Sequence, residues 1–195
     1  MWLFCGLGNP GEKYKNTRHN FGFLVLDTFA KKYSLNFKIY KDLESEAVFY
    51  KDKAILVKPL TYMNLSGRAV KKWILKEGIP VERLLVIYDD MDFPLGKLKI
   101  LPKGGAGNHK GMLSIIEALG TSDFPRMRLG IGKPLIGSAK DYVLSPFLEE
   151  EMPKVIKILD LASSALEDIL NVGLLKAMTK YNSLNRCSDE KSPGI

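Results

Sequence analysis

Cysteine and histidine are scarce in this chain: Cys5 and Cys187 lack any Cys-x-x-Cys spacing, and only two histidines accompany them. Neither a disulfide framework nor a structural zinc cluster is suggested. Cys5, inside the apolar run WLFC, reads as strand packing, and Cys187 as a free thiol in a polar tail. No stretch approaches the roughly 18 to 20 apolar residues needed to span a bilayer, and the N-terminus lacks the basic, apolar and small-residue order of a secretion signal. The simplest reading is a soluble cytoplasmic protein. Acidic residues are also in deficit, leaving a net charge of +7. The excess is local: residues 1–90 hold 15 Lys/Arg against 10 Asp/Glu, residues 91–140 hold 8 against 3, and residues 141–195 hold 6 against 9. A basic body with a less basic tail fits a polyanion such as nucleic acid, although solubility alone produces the same balance.

What is present is enough for one substantial core: 195 residues, 46% of them apolar, without repeats or a linker. The apolar run 2–5 reads as a buried strand, and 21–33 as a helix with apolar positions 21, 24, 25, 26 and 29. Residues 47–50 and 54–59 read as short strands around a turn at 51–53, and 66–78 as a helix with Ser66 as its cap and Gly78 as its stop. LLVIYDD (84–90) is the strongest strand signal. A half-buried strand follows at 97–101, then a helix at 111–120 and a strand at 126–132. Residues 148–180 have helical spacing, interrupted near Asn171 to Gly173, and suit packing over the sheet better than covering a cleft. This alternation predicts an α/β fold, a single domain over 1–185 with a mixed, largely parallel sheet sandwiched by helices. Residues 186–195 read as a frayed tail. In such sheets ligands collect beyond the carboxyl ends of the strands.

GLGNPG at 6–11 spells the dinucleotide pattern Gly-x-Gly-x-x-Gly directly after the first strand. A genuine fingerprint turns from strand straight into helix and carries an acid at the end of the second strand about 20 residues on. Here Pro10 sits in the turn, EKYKNTRHN follows, helical spacing resumes only near Phe21, and Asp27 falls inside that helix. A nucleotide-dependent oxidoreductase therefore rests on this motif alone. The segment reads better as a tight bend that lays a polar loop, with Asn9, Tyr14, Arg18, His19 and Asn20, across the strand ends.

Three other polar segments fall where strands end: Tyr62-Met63-Asn64, Asp89-Asp90-Met91-Asp92, and GGAGNHKG at 104–111. Each has an ordinary structural explanation by itself, as a helix entry, a solvated acid cluster or a flexible connection. Three acids could also hold a hard cation, but few other ligands lie nearby in sequence, so no metal is expected. Together with GLGNPG, TRHN at 17–20, KPLTYMNLSG at 58–67, DDMDFPLG at 89–96 and RMRLGIGKP at 126–134, these segments closely resemble the bacterial peptidyl-tRNA hydrolase family. They occur in family order across about 140 residues.

The resemblance implies a monomeric, cofactor-free esterase acting on the bond between a peptide carboxyl and the terminal ribose of tRNA. By matching position it implies His19 as catalytic base and Asp89 as its partner, with Asp90 and Asp92 as competitors that spacing alone does not dismiss. It makes Asn9 the group that separates a blocked from a free amino group, and it places Asn64, Tyr14 and Tyr62 along the substrate site. The chemistry agrees: imidazole, with an ordinary pKa near 6.5, can take a proton from water near neutrality, and no serine or cysteine nucleophile is needed.

The pattern breaks at one position. The family writes a His-Asn pair in the glycine loop, whereas here His109 is followed by Lys110 and preceded by Asn108. Lysine accepts no hydrogen bond, so the amide's role does not transfer to 110. Asn108 swinging in as the amide, with Lys110 on a tRNA phosphate, is one expectation; a lysine merely pointing to solvent is the other. Lys97, Lys99, Lys103, Lys110, Arg126, Arg128 and Lys133 form a basic neighbourhood in sequence, from which salt-sensitive tRNA binding is expected. The alternative reading is a non-catalytic RNA-binding protein on the same scaffold.

Overall fold

The computed structural model describes residues 1–189. Seven strands, β1 (Trp2–Gly6), β2 (Lys38–Tyr40), β3 (Ser45–Tyr50), β4 (Ala54–Pro59), β5 (Leu84–Asp90), β6 (Leu98–Leu101) and β7 (Arg126–Gly130), form one sheet in the order β2-β3-β4-β1-β5-β7-β6. The centre, β4-β1-β5-β7, is parallel; β2, β3 and β6 are antiparallel additions at the two flanks. All seven residues of β5 are buried, as expected of a parallel strand covered on both faces. Alternation then divides its side chains. Leu85 and Ile87 enter the layer with α1 (Phe21–Lys32), α5 (Met152–Val172) and α6 (Leu174–Asp189), while Leu84, Val86 and Tyr88 enter the layer with α2 (Ser66–Glu77) and α3 (Lys110–Leu119). The result is the three-layer α/β sandwich that the alternating pattern predicts.

Close approach explains the opening glycines. A Cβ on Gly6 would lie 2.4 Å from the Gly22 carbonyl oxygen, and one on Gly22 would lie 2.2 Å from the Ile87 carbonyl oxygen, so α1 rests directly on β1 and β5. Gly6 thus lets a helix approach the sheet.

Several sequence readings need correction. Ser66 is the first helical residue of α2, not its cap: Leu65 precedes it, and the Ser66 hydroxyl turns back to donate to the Met63 carbonyl at 2.8 Å. The short 3-10 turn at 63–65 runs straight into the helix, which moves the start one residue earlier. β2 was not expected; its three residues are mostly exposed and owe their conformation to pairing with β3, not to an apolar pattern of their own. A five-residue helix, α4 (Ala139–Val143), also escaped the sequence reading, being too short to show a period. The strand expected over 126–132 ends at Gly130. The expected interruption appears between α5 and α6 at Gly173, whose φ of +92° no ordinary helical residue adopts.

α5 and α6 pack on the sheet through residues such as Val155, Ile158, Leu166 and Tyr181. Asn182 also reaches the free edge of β6: its amide accepts from Ile100 N–H and donates to the Ile100 carbonyl, both at 2.8 Å. Asn185 makes the same pair of bonds to Leu98. The tail expected from residue 186 overlaps α6 over 186–189, and 190–195 lie outside the described residues. Among the described residues, no helix is long and apolar enough to cross a membrane.

One core position is an evident liability. Ser163, on the buried face of α5, has a hydroxyl without a hydrogen-bond partner among the described residues. An unsatisfied buried polar group costs about 1–3 kcal/mol, so Ser163→Ala is expected to stabilise the fold by about 1 kcal/mol. In a chain of this length that is a rise of roughly 2–4 °C in Tm, and a fall on thermal melting would contradict it.

Candidate active site

The carboxyl ends of β1, β4, β5 and β7 meet on one side of the sheet, where they border a cavity of about 700 Å³. The TRHN turn crosses this edge as a single turn of 3-10 helix over Arg18–Asn20, and its three residues anchor in three directions. Asn20 faces the first loop: Asn9 N–H donates to Asn20 Oδ1 and Asn20 Nδ2 donates to the Asn9 carbonyl, each at 2.9 Å. Arg18 points to the segment 142–151. His19 points to the end of β5, its Nδ1 lying 2.9 Å from both carboxylate oxygens of Asp89.

Of the three acids, Asp89 is the one that faces His19. Asp90 pairs with Arg128 and accepts from the Asp92 N–H at 2.8 Å, and Asp92 is an exposed turn residue 3.5 Å from Lys133. Backbone alternation through Asp89 and Asp90 sends neighbouring carboxylates to opposite sides.

A second imidazole shares the carboxylate, and sequence reasoning gave it no role. His109 Nε2 lies 2.9 Å from Asp89 Oδ1, and the two imidazole centroids are 4.9 Å apart. His109 is also the cap of α3, its Nδ1 accepting from Met112 N–H at 3.3 Å. That bond assigns the lone pair to Nδ1 and the proton to Nε2, which donates to Asp89. The available signal was that both histidines of the chain sit in polar segments at strand ends.

Asp89 is buried at the floor of the cavity. Burial by itself raises its carboxyl, but the attraction of His19 and His109 and the hydrogen bonds from both rings outweigh burial and hold it well below the usual carboxylate range. Opposite an ionised Asp89, the neutral tautomer of His19 that donates is the one with its proton on Nδ1, which puts the lone pair on Nε2. The donor atoms of His19, Asp89 and His109 lie within 4.8 Å of one another, a spacing that also suits a metal ion. Seating an ion there would displace the protons that both rings direct at Asp89. For His109 it would also force the proton onto Nδ1 and break the α3 cap.

Asn9, Tyr62, Asn64, Asn108 and Lys110 line the same cavity, and Tyr14 touches it indirectly, meeting the Tyr62 ring edge-on at 6.4 Å. Asn9 Oδ1 is consumed by the Met63 N–H at 2.7 Å, so this buried amide presents only N–H groups to the cavity. Tyr62 is exposed and its φ is +33°, a strained value costing about 1–3 kcal/mol that tends to occur at functional positions. Asn108 and Lys110 are both exposed, and neither side chain hydrogen-bonds to another described residue. The expected basic neighbourhood divides. Arg126 is buried and donates to the carbonyls of Gly104, Gly105, Ser122 and Phe124, holding the glycine loop in place. Arg128 is paired with Asp90, and Lys97 bonds the Asn185 carbonyl, whereas Lys103, Lys110 and Lys133 are exposed. Sequence proximity did not distinguish an inward-facing arginine from a surface lysine.

The family model described as peptidyl-tRNA hydrolase matches residues 3–191. The chain belongs to the peptidyl-tRNA hydrolase family. It is 47% identical to a peptidyl-tRNA hydrolase of Carboxydothermus hydrogenoformans over 93% of this chain and 98% of that protein. It is also 47% identical to one of Thermodesulfovibrio yellowstonii, over 94% and 100% respectively. Its fold is similar to the crystal structure of peptidyl-tRNA hydrolase from Acinetobacter baumannii, with a TM-score of 0.86, 30% identity, and 93% and 94% of the two chains covered. In this peptidyl-tRNA hydrolase family member, Lys110 is the first residue of α3, directly after the capping His109.

Proposed function

We propose that this chain frees tRNA from peptidyl-tRNA by hydrolysing the ester to the terminal ribose, with His19 activating the water and Asp89 orienting His19. The observation that carries the reading is the Asp89-anchored imidazole whose Nε2 has no hydrogen-bond partner among the described residues and lies beside the cavity. Nε2 takes a proton as water oxygen attacks the ester carbonyl, and Asp89 stabilises the imidazolium. The tetrahedral intermediate then collapses, and the imidazolium returns the proton to the departing ribose oxygen. A general base supplies about 10²- to 10⁴-fold of the acceleration, so positioning by the rest of the cavity must supply the remainder. A purely RNA-binding role would leave this hydrogen-bonded pair without a use.

Asn9 supports selectivity for a blocked amino group. An N–H directed at the substrate can donate to the carbonyl of a peptidyl group, while a free amino terminus offers an ammonium, which is itself a donor. Asn64 and Tyr62, with Tyr14 behind, hold the substrate alongside, and Asn108 and Lys110 meet it from the glycine loop, Lys110 suiting a tRNA phosphate. The enzyme acts in the cytoplasm, and as a monomer, as the family resemblance implies.

The test is release of tRNA from N-acetyl-aminoacyl-tRNA beside an unblocked aminoacyl-tRNA control. Cleavage of the first and sparing of the second is expected; cleavage of neither refutes the assignment. Asn9→Asp replaces the N–H face with acceptors that welcome an ammonium. It is expected to reduce the blocked-to-unblocked preference in kcat/KM by about tenfold or more, since a site built to hydrogen-bond one group rejects its analogue by leaving a polar group unpaired. An unchanged preference would remove Asn9 from this role.

A further inference from the structure

The residue preceding the candidate base is buried, charged and unused by the mechanism. Arg18 is only 3% exposed, and among the described residues its side-chain partners all belong to one distant segment, 142–151. Its guanidinium sits 4.5 Å from the Tyr142 ring centroid and 5.2 Å from that of Phe147. Nε donates to Ser145 Oγ at 3.3 Å, and Nη1 lies 3.0 and 2.8 Å from the two carboxylate oxygens of Glu151. The backbone repeats the tie: Arg18 N–H donates to the Ser145 carbonyl at 3.0 Å, and Thr17 bridges to Pro146. Phe147 in turn packs on Phe21 at 4.8 Å, and the Tyr142 hydroxyl donates to the Ile131 carbonyl just beyond β7.

The chain leading into these partners, and interleaved with them at Tyr142, forms one wall of the cavity through Ala139, Lys140, Val143 and Leu144. That wall contains only a helix of five residues and includes the exposed Lys140, so it has little internal structure to set its own position. We infer that Arg18 is a positioning residue that holds the 139–144 wall in register with the adjacent His19, and so sets how tightly the substrate is enclosed. Two aromatic faces, with Nε held by Ser145 and Nη1 by Glu151, specify the plane of the guanidinium, a demand that lysine, a point charge on a flexible stem, does not meet. His19 keeps its own anchor on Asp89, so the tie acts on binding rather than on base strength.

The inference rests on the proposed hydrolysis and is tested with Arg18→Lys and Glu151→Gln, each of which keeps a hydrogen-bonding group opposite its partner. Both variants are expected to raise KM for N-acetyl-aminoacyl-tRNA by about tenfold with kcat little changed, the pattern of lost uniform binding. The acid limb of the pH profile should stay in place, and amide hydrogen exchange over 139–145 should accelerate. Should Arg18→Lys fail to fold, Glu151→Gln carries the test alone. An unchanged KM, whatever happens to Tm, overturns the inference; so does a fall in kcat with a displaced acid limb, which would place the effect on His19. If the native chain shows no turnover, the functional proposal fails separately, and unaltered exchange over 139–145 still overturns the tie.

Discussion

His19→Ala is expected to lower kcat on N-acetyl-aminoacyl-tRNA by about 10²- to 10⁴-fold, the usual contribution of a positioned general base. KM should change little, because the lost atoms act on water and not on the tRNA. The fold should survive: Asp89 keeps its hydrogen bond from His109, so no buried carboxylate is left unpaired. Steady-state kinetics beside a thermal melt separates the outcomes. A folded variant retaining more than about a tenth of native kcat would fall outside the range expected of a lost general base and would remove His19 from the chemistry.

The second large effect belongs to Asp89→Asn. Two ring N–H groups converge on this carboxylate, and an amide can meet both only through its single oxygen, with its NH₂ placed against a donor. His19 is then free to move its proton to Nε2, the wrong tautomer for a base, and kcat is expected to drop on the order of 10³- to 10⁴-fold. Stability should respond in a pH-dependent way. A carboxyl held below its ordinary range stabilises the fold fully above that range, roughly pH 4, and loses the contribution as pH falls through its depressed value. The Tm gap between native protein and Asp89→Asn should accordingly be widest near neutrality and close in strong acid. A gap that widens on acidification, or near-native kcat in the variant, would contradict the arrangement described.

Much of this was legible in the sequence because its period is local. β1 and β5 are continuous apolar runs that only a sheet covered on both faces accommodates, and α1 and α3 repeat their apolar residues at helical spacing. His19, Asn9, Asn64 and Asp89 stood out as polar residues at strand ends, and the sheet brings them to one edge. What escaped depends on contacts far apart along the chain. His109 meets Asp89 across 20 residues, and Arg18 meets Glu151 across 133, with nothing in either neighbourhood to announce the partner. Arg126 counts toward the basic neighbourhood expected to meet tRNA because its charge is visible in the sequence and its burial is not. Ser66 fits a capping rule, yet a preceding 3-10 turn displaced the helix start.

The asparagine pair of α6 has a consequence for how the protein is made. By presenting a carbonyl and an amide to Ile100 and Leu98, Asn182 and Asn185 imitate an eighth strand along the rim of the sheet. A bare rim of this kind is a template for sticking to other chains. Synthesis runs from the N-terminus, so that rim is assembled long before its seal exists. Until residue 185 has been translated and has folded back, the nascent protein carries an open seam.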